Sequence, residues 1–254
     1  MLQIADSLAK KDDNNNYLFM AFSGEEIGLL GSNYFAKNPT VDLTKVNYMI
    51  NMDMVGRLRE DWTLSVSGTG TAPIWGQVLN STNPGFKLVL KESGVGPSDH
   101  TSFYLQDVPV LHFFTGQHED YHKPTDDADK LNYEGMKMIV GYITAVISEL
   151  DDAPKLIFKK TKNESEEVPR FKVALGVIPD YLFDGKGMRI DGVSEDKPAQ
   201  KAGLLKGDVV IQFRYTTGVE MMSYMRALSA FEEGNSTKVI VERNREKIEP
   251  KITF

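Results

Sequence analysis

The sequence contains no cysteine and only four histidines among its 254 residues. Without cysteine, a disulfide framework, a thiolate metal site and a cysteine nucleophile are all excluded. Any metal ion that the chain binds must therefore be held by histidine, aspartate or glutamate.

Long apolar runs and an excess of positive charge are also missing. No stretch is apolar over the length needed to cross a bilayer, so no transmembrane segment is predicted. Residues 1–11 lack the basic and then apolar pattern of a signal peptide. The net charge of -7 argues against a nucleic-acid partner, because such binding depends largely on Lys and Arg that neutralise phosphates.

Two regions of different character follow one another along the chain. Residues 1–150 alternate strand-like and helix-like segments, the pattern of an α/β domain with a largely parallel or mixed sheet. Residues 151–169 are rich in charge, include two prolines and predict a linker. Residues 170–254 have the size and the short strands of a compact β-rich module. The pattern in residues 1–150 predicts strands at 17–22, 46–52, 62–66, 87–90 and 108–114, and helices at 27–37, 72–79 and 134–150.

Acidic residues and histidines follow the predicted strands. Loops from several strands converge at the carboxyl edge of an open α/β sheet, so we expect these polar groups to share one catalytic edge. The residues concerned are Glu25 and Glu26 after the run LFMAF, Asp53 after strand 46–52, Asp99 and His100 after strand 87–90 and a turn, and His118 and His122 after strand 108–114.

These residue types are suited to zinc. Carboxylate oxygens and imidazole nitrogens bind zinc and leave room for a water molecule. A carboxylate that is not a ligand can accept a proton from that water. Glu25 and Glu26 could divide these two roles, because successive side chains at a strand end point in different directions. Two adjacent glutamates are otherwise typical of a solvated turn or a helix N-terminus.

Four segments of the sequence resemble, in the same order, segments of the M28 family of metallopeptidases. They are SGEEIGLLGSNYF, NMDMVGR, GPSDHTSF and GQHEDYHKPTDDADKLN. The resemblance implies a zinc-exopeptidase-like αβα sandwich with a mixed sheet that is incomplete at its N-terminus. It also implies two zinc ions (Zn2+) and hydrolysis of the N-terminal bond of a peptide substrate.

The same resemblance assigns roles to individual residues. Glu25 matches the general base, and Glu26 matches a ligand of one zinc ion. Asp53 would bind the other zinc ion, and His122 would complete the first. Tyr121 is placed like the residue that donates a hydrogen bond to the tetrahedral oxyanion.

Several other polar residues can be interpreted in two ways. His118, His100, Asp99 and Asp126 either support the metal ligands or serve plain loop structure. His112 lies inside an apolar strand, so we expect a core histidine with a satisfied nitrogen.

Two motifs of the M28 family are not in this sequence. A His-x-Asp motif and a turn with a further aspartate precede the Glu-Glu segment in the family. The ligands left here are fewer than the three usual for a catalytic zinc. We therefore expect an N-terminally truncated peptidase domain, and a chain that is inactive as written.

The region after residue 170 resembles a bacterial PDZ domain, most specifically over Pro198–Ile211. The resemblance implies that the backbone N–H groups of Ala174, Leu175, Gly176 and Val177 bind the C-terminal carboxylate of a peptide. The peptide would then add as a strand beside them. Alternatively, the module packs against the peptidase domain without binding peptide.

Taken together, the sequence predicts a zinc-dependent aminopeptidase with a PDZ module for peptide binding or regulation. A noncatalytic peptide-binding scaffold with a degenerate peptidase fold is the alternative from another class. A glutaminyl-cyclase-like acyltransferase is a third reading, although its active-site loops differ from the Gly-Glu-Glu pattern. The resemblance to the M28 family implies a periplasmic or secreted location for the full-length protein.

Overall fold

The computed structural model describes residues 1–11, 15–25, 29–121, 123–161, 172–180, 183, 185–214, 216–217 and 221–254. The chain divides into two compact units, Met1–Gly116 with His122–Glu166, and Gln117–Tyr121 with Glu167–Phe254. Each unit has a hydrophobic core of its own. No helix in the described ranges is long and apolar enough to cross a membrane.

The first unit is a mixed sheet with helices on both faces. Its helices are α1 (Leu2–Leu8), α2 (Leu30–Lys37), α3 (Trp75–Ser81), α4 (His100–Tyr104) and α5 (Tyr133–Glu149). Its strands are β1 (Met49–Asp53), β2 (Thr63–Ser67), β3 (Lys87–Lys91) and β4 (Val110–Phe114), in the spatial order β1-β4-β2-β3. Strand β1 is parallel to β4 and β2 to β3, whereas β2 and β4 are antiparallel. The predicted mixed α/β sheet is confirmed.

Period-two alternation gives the two faces of this sheet different chemistry. The apolar side chains of β1, β2 and β4 on one face pack with helices α1, α3 and α5 into the main core. Asn51, Asp53 and His112 alternate with these core residues and therefore lie on the opposite face. Helix α4 packs there against β1 and β4, and α2 packs on α4.

The strand predicted at residues 17–22 is absent from the described structure. Leu18 and Phe19 are instead 56% and 40% exposed. Apolar and β-branched or aromatic composition favours a strand, but a strand exists only where its backbone groups find a partner. In the described part of the chain β1 pairs with β4 alone, so no strand joins residues 17–22 to the sheet.

The second unit is a small antiparallel β structure with two helices, α6 (Pro198–Lys201) and α7 (Met221–Ser229). Its strands are β5 (Val177–Pro179), β6 (Met188–Val193), β7 (Val209–Phe213), β8 (Thr216–Thr217), β9 (Ser236–Arg243), β10 (Glu246–Ile248) and β11 (Lys251–Thr253). The sheet runs in the order β10-β9-β7-β6-β5, with β8 on β7 and β11 on β9. Among the described strands, β5 therefore lies at one edge of the sheet.

An ion pair between a buried aspartate and a partly exposed arginine fixes the turn that leads into β7. Gly207 has φ 93°, a conformation that favours glycine. Asp208 is 1% exposed and accepts two hydrogen bonds from Arg243 of β9, at 2.6 and 2.7 Å. A guanidinium suits such a two-point contact because its N–H groups form a planar fork. The glycine-aspartate turn is thereby held against the central sheet of the second unit.

Candidate active site

Asp53 is the last residue of β1 and lies at the carboxyl edge of the parallel pair β1 and β4, opposite Phe114. Its side chain is 39% exposed. Met54 follows in the left-handed region at φ 52°, which is uncommon for a residue other than glycine. The Thr115 hydroxyl donates to the Met54 carbonyl. The end of β1 is thus tied to the segment after β4.

His112 lies beside Asp53 on the same face of the sheet. Its side chain is 7% exposed, and its Nε2 is 4.0 Å from Asp53 Oδ2. That distance is too long for a hydrogen bond, and Nε2 has no partner among the described residues. Burial lowers the pKa of His112 to about 4, so the ring is neutral at neutral pH. The predicted burial is confirmed, and the buried Nε2 is not satisfied by a partner among the described residues.

His100 stacks on His112, with ring centroids 4.4 Å apart and an angle of 17° between the rings. It is fully buried, and neither of its ring nitrogens has a hydrogen-bond partner in the described ranges. Burial, and after it the neighbouring His112, holds the pKa of His100 well below its usual value. An unsatisfied buried polar group costs about 1–3 kcal/mol. Two stacked histidine rings at this position therefore cost more free energy than two apolar rings of similar size would.

The sequence did not predict how the segment between β3 and α4 brings Asp99 and His100 to this face of the sheet. Strand β3 runs antiparallel to β1 and β4, so its carboxyl end lies at the opposite edge of the sheet. The expectation of one shared strand-end edge is wrong for these two residues. The turn after β3 instead crosses the face, where Asn51 Nδ2 donates to Ser98 Oγ at 2.7 Å.

Asp99 begins α4 and is partly removed from solvent. Burial raises the pKa of its carboxyl, against a smaller opposite effect of the Ser32 hydroxyl. Its Oδ1 is buried without a partner among the described residues. Asp99 is therefore a second place on this face of the sheet, besides the histidine pair, where a polar atom is buried without a partner among the described residues.

Glu25 is carried by a loop that folds back on the start of α2. The backbone N–H groups of Leu29, Leu30 and Gly31 donate to the carbonyls of Glu25, Gly24 and Ser23, at 2.9–3.0 Å. These three bonds hold the backbone of residues 23–25 against the start of α2. Gly24, at φ 68°, supplies the left-handed turn that they need.

Helix α2 is in turn locked to α4. Phe22, Phe35 and Phe103 form a triangle with centroids 5.9–6.0 Å apart. The buried hydroxyls of Ser32 and Ser102 are 2.9 Å apart. Since α4 packs on β1 and β4, these contacts connect the Glu25 loop to the strand that carries Asp53.

Asp126 lies in the loop before α5 and pairs with Arg57 at 3.1 Å. Asn132 extends this connection, since its backbone N–H donates to the Gly56 carbonyl at 2.8 Å. The segment that contains Asp126 and Asn132 is thereby held to the turn that follows Asp53. Asp126 therefore contacts Arg57 in this loop, and its predicted support of the metal ligands stays a prediction.

The remaining predicted residues are distributed differently. Glu26 and His122, both predicted as zinc ligands, lie outside the described residues. His118 and Tyr121 belong to the second unit, where the Tyr121 N–H donates to the His118 carbonyl at 3.1 Å. In the described part of the chain, no group of three or more His, Asp or Glu is arranged to hold a metal ion.

The described residues fit zinc at one ligand position. Asp53 presents an accessible carboxylate, and the unpartnered Nε2 of His112 faces it from the buried side. Metal-binding carboxylates in proteins are commonly supported by a second hydrogen-bonding group, and the Nε2 of His112 lies 4.0 Å from Asp53 Oδ2. Sequence reasoning missed His112, although Asn51 and Asp53 in one strand and His112 in its neighbour share a face by simple alternation.

The predicted carboxylate-binding loop precedes the edge strand β5 of the second unit. Leu175 is buried, and Gly176 has φ 80°. The Leu175 carbonyl accepts from Ala199 N at 2.8 Å, and the Gly176 carbonyl accepts from Ser194 N at 2.8 Å. The carbonyls of the loop are therefore turned into the unit. Ala174 is exposed, and Val177 starts the edge strand.

Comparisons with known proteins agree with this architecture. Aminopeptidase YwaD of Bacillus subtilis (strain 168) is 26% identical over 183 residues, which cover 66% of this chain and 40% of YwaD. The zinc aminopeptidase BSAP from Bacillus subtilis matches with a TM-score of 0.52 and 24% identity, over 66% of this chain and 42% of that one. LapA aminopeptidase of Legionella pneumophila gives 0.50 and 21%, over 60% and 44%.

The chain thus spans less than half the length of each of these relatives. Its mixed α/β fold is similar to that of zinc aminopeptidases. The sequence profile of the family described as Peptidase family M28 matches residues 1–147, more than half of the chain. The chain belongs to peptidase family M28.

Proposed function

We propose that this chain is part of a zinc-dependent aminopeptidase that removes N-terminal residues from peptides. The observation that carries the proposal is Asp53, a half-exposed carboxylate at the carboxyl edge of a parallel strand pair. Edges of this kind are where α/β sheets bind their ligands. In a member of a peptidase family, a carboxylate at this position can serve as a ligand of the metal ion.

In this proposal Asp53 binds one zinc ion, and Glu26 and His122 bind the other. Zinc, when bound, supplies a Lewis acid that activates water and polarises the scissile carbonyl. Glu25 accepts the proton that the water loses, and Tyr121 donates a hydrogen bond to the oxyanion. The loop bonds to α2 hold Glu25 ready for that proton transfer.

Ligand number sets a condition on activity. Two ligands on one ion and one on the other are fewer than the three protein ligands of a typical catalytic zinc. We propose that the active protein contains a further histidine and a bridging aspartate from sequence beyond these 254 residues. The coverage of 40% of YwaD supports this view.

Hydrolysis of aminoacyl-anilides tests the proposal. We expect a longer form that includes both missing motifs to bind zinc and cleave these substrates, and the present chain to be inactive. Glu25→Gln in the longer form should lower kcat by about 100-fold or more, the usual loss of a general base. Glu134→Gln, at an exposed position in the first turn of α5, is the matched control. Equal loss in both variants would contradict the assigned base.

We further propose that the second unit is a PDZ module that binds the C-terminus of the peptide substrate. The edge position of β5 and the left-handed Gly176 support it, since strand addition needs an open edge. Binding there would raise the local substrate concentration by tethering. Peptides with a free C-terminus should then show higher kcat/KM than their C-terminal amides, and equal values would remove the idea.

A noncatalytic peptide-binding scaffold is the second candidate. The small number of zinc ligands in these 254 residues, fewer than the three usual for a catalytic zinc, favours it. Zinc analysis of the longer form separates the two candidates. Bound zinc with anilide hydrolysis supports the enzyme, whereas peptide binding without zinc supports the scaffold.

A further inference from the structure

His112 is a residue whose surroundings call for a function beyond packing. It sits in the central strand β4, between β1 and β2, with its side chain 7% exposed. Its ring is held between two others, His100 at 4.4 Å and Phe114 at 5.8 Å. A phenylalanine would fill this stack and leave no polar atom buried, so the stack alone does not account for an imidazole.

The strand register aims the ring at Asp53. In the parallel pair, Asn51 lies opposite His112 and Asp53 lies opposite Phe114. His112 is therefore the diagonal neighbour of Asp53 on one face of the sheet, within reach of a long side chain. Its Nε2 is 4.0 Å from Asp53 Oδ2 and has no partner among the described residues.

Little movement is needed to close this gap. A hydrogen bond between nitrogen and oxygen spans roughly 2.7–3.2 Å, so the atoms must approach by about 1 Å. The rings on either side restrict His112, whereas the Asp53 side chain is 39% exposed. The proposal therefore requires the Asp53 carboxylate to approach an imidazole whose ring is already in contact with two others.

We propose that His112 is a positioning residue for Asp53, donating its Nε2–H to Oδ2 and leaving Oδ1 directed to the open edge. This inference rests on the proposed function in one respect, that Asp53 is the zinc ligand. The contact itself requires no metal. Ligating carboxylates held by such a partner lose less freedom on binding and keep one oxygen for the ion.

The contact is tested on the metal-free chain by NMR of the histidine rings. The sequence has four histidines, so 15N-histidine labelling gives four ring patterns, and His112→Gln identifies one by its loss. We expect His112 to carry its proton on Nε2, with that proton shifted downfield by the carboxylate. Asp53→Ala should remove the downfield shift and leave the His100 pattern in place. A proton on Nδ1, or a shift that Asp53→Ala leaves unchanged, would overturn the proposal.

Zinc affinity gives the second measurement, made by chelator competition on the full chain or the longer form. His112→Phe keeps the ring stack and removes the donor, and we expect it to weaken zinc binding about 10-fold to 100-fold. His112→Gln, whose amide nitrogen can reach a similar position, should recover most of that loss. Equal affinity of wild type and His112→Phe would contradict the positioning role.

The two measurements separate the two hypotheses. A wild-type protein that binds no zinc in either form defeats the proposed function, while the ring NMR still decides the contact between His112 and Asp53. Thermal unfolding of His112→Phe and His112→Gln checks their folds. Unlike a purely structural role, positioning predicts a ring signal that responds to Asp53→Ala.

Discussion

His100 carries no charge in the folded protein at neutral pH. It is completely buried against His112, and burial holds its pKa well below the ordinary value of 6.5. The unfolded chain takes up a proton on this residue below about pH 6.5, and the folded chain does not. The free energy of unfolding contributed by His100 is therefore fully present above that pH and falls as the pH drops below it.

His100→Phe should remove this part of the pH dependence. One such group changes the free energy of unfolding by at most about 1.4 kcal/mol per pH unit. Urea unfolding of wild type and variant at pH 7, 6 and 5 measures the difference in slope. At pH 7 the variant should be at least as stable as wild type, because phenylalanine leaves no ring nitrogen unsatisfied. Identical slopes for the two proteins would show that His100 does not titrate in this way.

Met54 is a second residue whose conformation is unusual, since it follows Asp53 at φ 52°. The left-handed region costs a residue with a Cβ roughly 1–2 kcal/mol, and glycine escapes this cost. We expect Met54→Gly to be about 1 kcal/mol more stable than Met54→Ala in denaturant unfolding. Comparing the two variants cancels the loss of the methionine side chain.

Met52 provides the control for that measurement. It lies two residues earlier, inside strand β1, where its apolar side chain packs against the core. Glycine weakens a strand interior by about 0.5–1 kcal/mol relative to alanine. Met52→Gly should therefore be less stable than Met52→Ala, the opposite order from position 54. The same order at both positions would contradict the role of the left-handed backbone.

At the scale of elements, the helix α2 positions the loop that carries Glu25. Gly31 allows this contact, because a Cβ there would lie 2.7 Å from the Ser23 carbonyl oxygen and 2.9 Å from its nitrogen. Both atoms belong to the backbone, so the loop itself must shift to admit a methyl group. Gly31→Ala should lower kcat of the longer form by about 10-fold or more, since small displacements of a catalytic group are costly.

Gly141→Ala is the matched helix substitution. This exposed glycine lies in the middle of α5, and a Cβ there meets nothing within 4 Å. Alanine at such a position stabilises a helix by about 1 kcal/mol. We expect a raised melting temperature and unchanged kcat. Unchanged kcat in Gly31→Ala as well would mean that the loop does not need its contact with α2.

The spacing of apolar residues predicted most helices and strands of the first unit, because a helix or strand that buries one face needs that spacing within its own sequence. The strand predicted at 87–90 is observed at Lys87–Lys91, and the helix predicted at 134–150 is observed at Tyr133–Glu149. The strand predicted at 17–22 was wrong, because pairing depends on a neighbouring backbone that no local pattern reveals.

The candidate site was predictable only in part, for the same reason. The position of Asp53 follows from its place after an apolar strand. The position of Asp99 depends on β3 being antiparallel to β4, and strand direction is set by the whole sheet. The buried pair of His100 and His112 joins residues 12 positions apart, and only the folded structure places their rings together.

The whole molecule contains two hydrophobic cores that share no residue. Phe113 belongs to the first, and Phe213 to the second, where it contacts Tyr224 and Phe231. Each ring is fully buried. Replacing a buried phenylalanine by alanine costs about 3–5 kcal/mol, and we expect each cost to fall on one unit alone.

Tryptophan fluorescence distinguishes the units, because both tryptophans, Trp62 and Trp75, lie in the first. Phe113→Ala should lower the fluorescence midpoint in urea, whereas Phe213→Ala should leave it unchanged. Amide hydrogen exchange followed by mass spectrometry should give the converse result, with protection lost in β7 and β9 only in Phe213→Ala. If Phe213→Ala also moves the fluorescence midpoint, the separate cores unfold as one cooperative body. Separate midpoints would show that the second unit unfolds without disturbing the core of the first unit, on which the strands of Asp53 and His112 rest.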